Sequence, residues 1–494
     1  MHMKGNRSRR IYIVGAGISG RAIAREIQEN EAFGEVVAFL DDDPAKSGKN
    51  IDDIPVIGPI DRIAEHMRAA PAEEAIITIP SADAGNLKRI HDILDAAQLR
   101  RIRYLPKISQ IVDGSPHLIQ TKNIDPEDIL ARDPVTIPLK ASLSYLRGRR
   151  VLITGAGGSI GGELARQLLS GGAQRLYLFD NGETNLYEID KELRLLQTAG
   201  VGEAATVVPV VGDLRDADYT AFILRRLKAD VVFHCAAYKH VPMLEGNPVE
   251  AIRNNVFGTK NLVDAAIEND VSRFVLISTD KAVDPVCVYG ASKMLAEEIV
   301  LHASTDMVKC MVVRFGNVFD TRGSIVPLFK RQIETGGPVT VTHHDTTRYF
   351  MTLPEAGSLV LKAGGVGDGG MVYILDMGNP VRIKKLAEQM IKFYGLEPER
   401  DIQIEYIGLR PGERMTESLF SEDERPIETP YPRINRLIRE PRFNGELRKV
   451  LACLNPVCSY DPGNASAYRN RRLLKSCLAE IIPGIESPDH EPEY

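Results

Sequence analysis

VLITGAGGSIGGELARQLL, residues 151–169, is the stretch that decides the fold. It opens with a short apolar run containing β-branched residues, which reads as a strand. Gly155, Gly158 and Gly161 follow, and apolar residues then recur at helical spacing. A strand, a glycine turn and a helix in that order open a doubly wound parallel-sheet domain. A similar pattern stands at residues 11–27, IYIVGAGISGRAIAREI, with Gly15, Gly17 and Gly20. Two such openings predict an α/β chain with two Rossmann-like domains. The expected boundaries are 1–106 for the first domain, 107–148 for a linker and 149–442 for the larger domain with a C-terminal substrate-binding lobe. Residues 443–494 are expected to add a helical extension and an acidic tail.

Working outward, strands are expected at RLYLFD, TVVPVVGD, DVVFHCAA, RFVLIS and KCMVVRFG. Helices at NLYEIDKELRLLQ, AFILRRL and EAIRNNVFGTKNLVDAAIEN lie between them. This alternation means a parallel sheet with right-handed crossovers. The first domain repeats it on a smaller scale, with strands at VVAFLDDDP, EEAIITIP and RIRYLP. Past Val318 the pattern loosens, apart from a helix at RIKKLAEQMIKFYG. The chain has 494 residues, 44% hydrophobic and 26% charged, with a net charge of −6. It is too apolar to be disordered and has no basic field to hold a nucleic acid. No apolar run approaches the ~18–20 residues of a membrane span. Six sparse cysteines in mostly apolar surroundings read as reduced thiols rather than a disulfide framework.

The helix that follows the second turn offers unpaired N–H groups to a phosphate. Gly155, Gly158, Ser159, Ile160 and Gly161 form that cradle. Asp180 closes the next strand and can accept both ribose hydroxyls of NAD. An acid there repels a 2′-phosphate, which favours NAD, with NADP as the alternative because arginines lie nearby. Asp213 and Leu214 in GDLRD suit the adenine edge, and Ala236 and Ala237 follow the next strand. The first turn, with Asp41 after its second strand, fits either a dinucleotide or a regulatory domain that binds none.

Tyr289 and Lys293 stand one helical turn apart and share a face. The lysine ammonium can lower the phenol pKa and hold the nicotinamide ribose, so that the tyrosine takes a hydroxyl proton. Thr279, Asp280 and Lys281 sit at a strand tip. A threonine there can hydrogen-bond the reacting hydroxyl. An adjacent carboxyl and amine suit an elimination: a ketone at carbon 4 of a sugar acidifies the carbon-5 hydrogen, a base removes it, and an acid protonates the leaving hydroxyl on carbon 6. The plainer reading of Asp280 and Lys281 is a surface ion pair. His343, His344 and Asp345 read as a polar loop, and no metal site is expected.

The text HCAAYKHVPMLEGNP, ISTDKAVDP, VYGASK, VRFGNV, TRGSIVPLFKRQI, TTRYFMTLPEA and GLRPGER resembles the CapD-type polysaccharide-biosynthesis UDP-N-acetylglucosamine 4,6-dehydratases. These belong to the extended short-chain dehydrogenase/reductase family. The resemblance runs over about residues 149–442, and FLDDDP and EDILARDPV extend it to the long, membrane-anchored members. It implies Asp280 as acid, Lys281 as base and Lys293 as the cofactor lysine. It implies Asn317, Arg348, Arg410 and Glu413 near the UDP moiety. Lys239 and His240 would face the sugar or phosphates, or support that site from behind. It further implies NAD or NADP as cofactor, UDP-N-acetylglucosamine as substrate, and a homodimer or higher homo-oligomer built on helices such as the one beginning near Tyr289. The membrane anchor of the long members would be missing from this chain. The full-length form would then work at the cytoplasmic face of a bacterial inner membrane, with the chain as given soluble. Many long members carry Met where this chain has Tyr289, and the shorter, carbon-5-inverting members carry Tyr, so retention and inversion both stay open. A UDP-sugar 4-epimerase on the same scaffold is the first rival, and a cofactor- or UDP-sugar-sensing regulatory protein is the second.

Overall fold

The computed structural model describes residues 9–29, 33–79, 82–99, 101–105, 122–123, 143–319, 321–394 and 396–485. Most of the expected linker at 107–148 and the acidic tail beyond 485 lie outside the described residues. The chain divides into two compact units, Met1–Lys140 with Thr198–Val201, and Ala141–Gln197 with Gly202–Tyr494.

The first unit holds a seven-stranded sheet in the order Asn50–Ile51, Ile54–Ile57, Glu35–Leu40, Arg10–Val14, Glu74–Ile77, Arg101–Tyr104, Lys122–Asn123. Its five inner strands are parallel, and the two short outer ones pair antiparallel. The central strand is buried from Ile11 to Val14, as a continuous apolar run in a parallel sheet requires. Ile23 and Ile27 of the helix Ile18–Glu29 pack with Ile11, Ile13, Phe39 and Ile76.

The second unit holds a nine-stranded sheet. Its order is Thr206–Val211, Arg175–Asp180, Arg150–Thr154, Val231–His234, Arg273–Thr279, Lys309–Phe315, Met371–Leu375, Ile434–Ile438, Arg425–Glu428. The first seven strands are parallel and the last two close the edge antiparallel. Strand order reverses between Arg150–Thr154 and Val231–His234. In such sheets the crevice at that point, beyond the carboxyl ends of the strands, takes the ligand. Among the described residues no helix is long and apolar enough to cross a membrane.

Two elements differ from their sequence reading. EAIRNNVFGTKNLVDAAIEN, expected as one helix, is an α-helical turn at Pro248–Ala251, a π-helical stretch at Ile252–Gly258 and an α-helix at Thr259–Glu268. The widened stretch carries Asn255. Its side chain accepts from the Tyr238 N–H at 2.8 Å and donates to the Tyr238 carbonyl at 3.0 Å and to Ser292 at 2.9 Å. These bonds offset the poorer geometry of a π turn, a feature that recurs at functional sites. The second difference is the helix Val288–His302, whose apolar stripe was expected to face another copy. It is buried from Val288 to Val300 within one chain, because segments between 241 and 268 pack along it. The helices Leu447–Cys458 and Arg471–Ile481 join the same core through Leu454, Val457, Leu474 and Leu478.

Candidate active site

The glycine turn closes tightly on the neighbouring strand end. Gly155 has φ +69, and a Cβ there would stand 2.6 Å from the Ala236 nitrogen. A Cβ on Gly161 would stand 2.2 Å from the Gly155 carbonyl oxygen. These close approaches seat the turn against the neighbouring strand end and on the start of the helix Ser159–Ser170, which Gly158 caps. Asp180 accepts from the Gly157 N–H at 2.9 Å and the Gly182 N–H at 2.8 Å, which aims its carboxylate and leaves lone pairs for a diol. The Arg215 guanidinium holds the Asp213 carboxyl below the usual carboxylate range and also reaches Glu250 at 2.9 Å. Gly155, Gly158, Asp180, Asp213, Leu214, Ala236 and Ala237 line one groove. Ser159 and Gly161 are not among the residues that line it, and Ile160 lines the adjoining cleft. A close-packed glycine turn on a helix N-terminus, with an aimed carboxylate beside it, fits a dinucleotide.

The adjoining cleft has a volume of about 380 Å³ and shares Cys235 and Ala237 with the groove. The strand Arg273–Thr279 delivers Thr279 at its carboxyl end. A single 3-10 turn, Asp280–Ala282, then sends Asp280 inward and Lys281 into the cleft. Asp280 is fully buried, so the pair is not a surface ion pair. Its Oδ1 accepts from Thr279 Oγ1 at 2.9 Å and from Lys281 Nζ at 3.0 Å, and its buried Oδ2 has no partner. Asp280 is not among the residues that line the cleft; it stands behind Lys281. Burial favours the neutral amine of Lys281, but the charges of Asp280 and Glu417 outweigh it and hold the ammonium form above its ordinary range.

Tyr289 and Lys293 both reach the cleft from the helix Val288–His302. Burial pushes the Tyr289 phenol up to about 12, against the pull of Lys281 and a hydrogen bond with Thr279. Lys281 is the cation whose charge opposes that rise, while the sequence reading gave this part to Lys293. The reason is the strand-tip turn, which carries Lys281 across to the start of the helix. Lys293 instead donates to the Ile277 carbonyl at 2.7 Å, and burial pulls its pKa down to about 8.

Lys239, His240, Asn317, Arg348, Arg410 and Glu413 also line this cleft. Lys239 is pushed down by burial, and His240 by burial and by the charges of Lys239 and Arg410. Such a cationic wall suits a diphosphate. Arg348 spends its guanidinium on the carbonyls of Thr347, Arg414 and Met415, so it fixes the 410–417 loop rather than offering a free fork. Arg410 bonds Glu413 at 3.0 Å. His343 and His344 set their Nδ1 atoms 3.0 Å apart in a loop beside Thr342 and Thr346, which line the cleft.

Three residues of the site were not found by sequence reading. Asn255 braces the Tyr238 backbone. Arg322 donates its N–H to Ser159 Oγ at 3.0 Å and its guanidinium to Asn185 at 2.6 Å, tying its loop to the glycine turn. Glu417 lies 3.8 Å from Lys281 Nζ in the cleft wall. No spacing rule marks these positions, since each meets its partner only through the tertiary fold.

The profile of the polysaccharide biosynthesis protein family matches residues 151–439, and a CoA-binding domain profile matches residues 1–104. The capsular polysaccharide biosynthesis protein CapD of Staphylococcus aureus is 40% identical over 428 residues, 86% of this chain and 70% of that protein. The chain belongs to the CapD-type polysaccharide biosynthesis family. This CapD-type chain is also 32% identical over 284 residues to a UDP-N-acetylglucosamine 4,6-dehydratase (inverting) of Campylobacter jejuni, covering 56% of this chain and 79% of that protein. It is 34% identical over 281 residues to a UDP-glucose 4-epimerase of Rickettsia rickettsii, covering 56% of this chain and 79% of that protein.

Proposed function

We propose that this CapD-type protein is a nucleotide-sugar 4,6-dehydratase that converts UDP-N-acetylglucosamine to a UDP-4-keto-6-deoxy sugar. The observation that carries the reading is Lys281, paired with the buried Asp280 behind it, set beside Tyr289 in the cleft. A 4-epimerase needs the oxidising tyrosine but no group to lose water, so this pair favours elimination. The epimerase stays as the second reading because a relative at similar identity carries that name.

Gly155, Gly158, Asp180, Asp213, Ala236 and Lys293 would hold NAD, and the Asp180 carboxylate disfavours the 2′-phosphate of NADP. NAD, when bound, would take hydride from carbon 4 and return it at carbon 6. Tyr289 takes the proton of the 4-hydroxyl, steadied by Thr279 and by the nearby Lys281 ammonium. Lys281 is the base for the carbon-5 hydrogen in this reading, and Asp280 fixes its amine from behind. Lys239, His240 and Arg410 face the diphosphate.

The test is to incubate UDP-N-acetylglucosamine with the purified protein in D₂O and read the product by mass spectrometry and proton NMR. The expected product has lost one water and shows a carbon-6 methyl signal, with coupling constants that give the carbon-5 configuration. An unchanged backbone mass with an epimeric sugar signal would move the reading to the epimerase.

A further inference from the structure

Two thiols outside the groove and cleft meet where the two C-terminal helices pack together. Cys453 lies on the helix Leu447–Cys458 and Cys477 on the helix Arg471–Ile481. Their Sγ atoms stand 2.6 Å apart, although 24 positions separate them in the chain. A disulfide bond is about 2.0 Å long, so a small movement of the two side chains closes one. The pair is asymmetric. Cys453 is exposed and Cys477 is buried. Burial raises the Cys477 thiol above its ordinary range, which leaves Cys453 as the sulfur that meets a reagent first. The second helix also reaches toward the catalytic cleft. Its Lys475 sits 3.5 Å from Glu245 Oε2, and its Arg471 guanidinium donates to the Glu245 carbonyl at 3.3 Å. Glu245 Oε1 in turn accepts from the Val288 N–H at 2.7 Å, at the start of the helix that carries Tyr289 and Lys293.

We propose that Cys453 and Cys477 form a modification site, a dithiol that small disulfide oxidants convert to an intrachain disulfide stapling the two C-terminal helices. The Cys453 thiolate attacks one sulfur of the oxidant. The oxidant's S–S bond breaks, one half leaves as a thiolate, and the other half stays on Cys453 as a mixed disulfide. Cys477 then gives up its proton and attacks the Cys453 sulfur, which releases the second half. The two cysteines lose two electrons and two protons, and the oxidant takes up both to become a pair of thiols. The new bond closes the loop from Cys453 to Cys477 and ties the helix that braces Glu245 to its neighbour. Closing that loop restricts the unfolded chain and so stabilises the folded one. Neither step involves a nucleotide sugar, so the site is independent of the dehydratase reading.

The experiment treats the full chain with oxidised glutathione, beside a Cys453→Ser variant. Remaining thiols are then alkylated, the chain mass is read, and linked peptides are identified by fragmentation. Thermal melts are recorded for the oxidised protein and again after a thiol reductant. The parent should lose the mass of two hydrogens and show a Cys453–Cys477 link within one chain. It should melt about 3 °C or more above its reduced form, and the reductant should reverse both changes. Reduced Cys453→Ser should melt within about 1 °C of the reduced parent, because that side chain is exposed. The oxidant should leave the melting point of this variant where it was. A lasting glutathione adduct on Cys453, a link between two copies or to another cysteine, or no reaction at all overturns the proposal. A Cys453–Cys477 link that leaves the melting point unchanged overturns it as well, since the bond then staples nothing.

Discussion

Lys293 shows what a buried lysine costs the fold. Its ammonium lies in a buried position with one carbonyl for a partner, and burial holds its pKa near 8 against an ordinary 10.5. A lysine with a depressed pKa disfavours the folded state while the unfolded chain is protonated and the folded one resists it. The penalty is full below pH 8, roughly 3 kcal/mol, and fades as pH rises from 8 to 10.5. Lys293→Met removes the titration along with the hydrogen bond. The difference in Tm, variant minus parent, should therefore be more positive at pH 7 than at pH 10, and thermal melts at both values check it. A difference independent of pH would mean that Lys293 is not strained by burial. This same residue was legible in the sequence because the chemistry ties it to Tyr289 by a fixed helical spacing. Thr279, Asp280 and Lys281 were legible for a like reason, being adjacent on one strand tip. Glu417 was not, because only the folded loop brings it to Lys281, far from it in the chain.

At the scale of elements, the helix Val288–His302 is held by charge as well as by apolar packing. Arg314, fully buried on the strand Lys309–Phe315, donates to Glu297 of that helix at 2.7 Å and to Glu424 at 2.7 Å, and reaches the Leu419 carbonyl at 3.1 Å. Ser278, next to Thr279, donates to the same Glu297 at 2.5 Å. One guanidinium therefore joins strand, helix and the chain just past the 410–417 loop. Taking it away leaves two buried carboxylates with only more distant cations, Arg439 at 3.9 Å from each and Arg442 at 3.6 Å from Glu424. Arg314→Met should cost about 3–5 kcal/mol of unfolding free energy in a denaturant titration. Adding Glu297→Gln and Glu424→Gln to it should recover part of that loss. A single variant within about 1 kcal/mol of the parent would show that the cluster is solvated in solution. The sequence concealed this cluster, since Glu297 and Arg314 read as ordinary charges in an amphipathic helix and a strand. It concealed the π stretch at Ile252–Gly258 for a related reason: the widening answers to Tyr238 and Ser292, which lie outside the segment.

At the scale of the whole molecule, the same opening pattern has produced two different sites. In the second unit Asp180 is met by backbone N–H groups and remains open to a ligand. In the first, Asp41 accepts from the Ala16 N–H at 2.8 Å and the Asp43 N–H at 2.9 Å, and its Oδ2 also binds Lys46 at 2.9 Å. That lysine neutralises the carboxylate that a ribose would use, which is why strand, turn and helix alone left the first domain's ligand open. The fold class was legible twice over, since each glycine turn needs its strand and helix in sequence. The division of labour was not, because it depends on what surrounds each carboxylate. Every residue placed in the groove and cleft belongs to the second unit, and that unit has its own sheet and core. A fragment covering residues 143–485 should accordingly fold alone with a cooperative transition and, on the proposed dehydratase reading, turn over UDP-N-acetylglucosamine within about threefold of the full chain. Circular dichroism and the mass-spectrometric assay measure the two halves of that statement. A folded but inactive fragment would show that turnover needs residues 1–140.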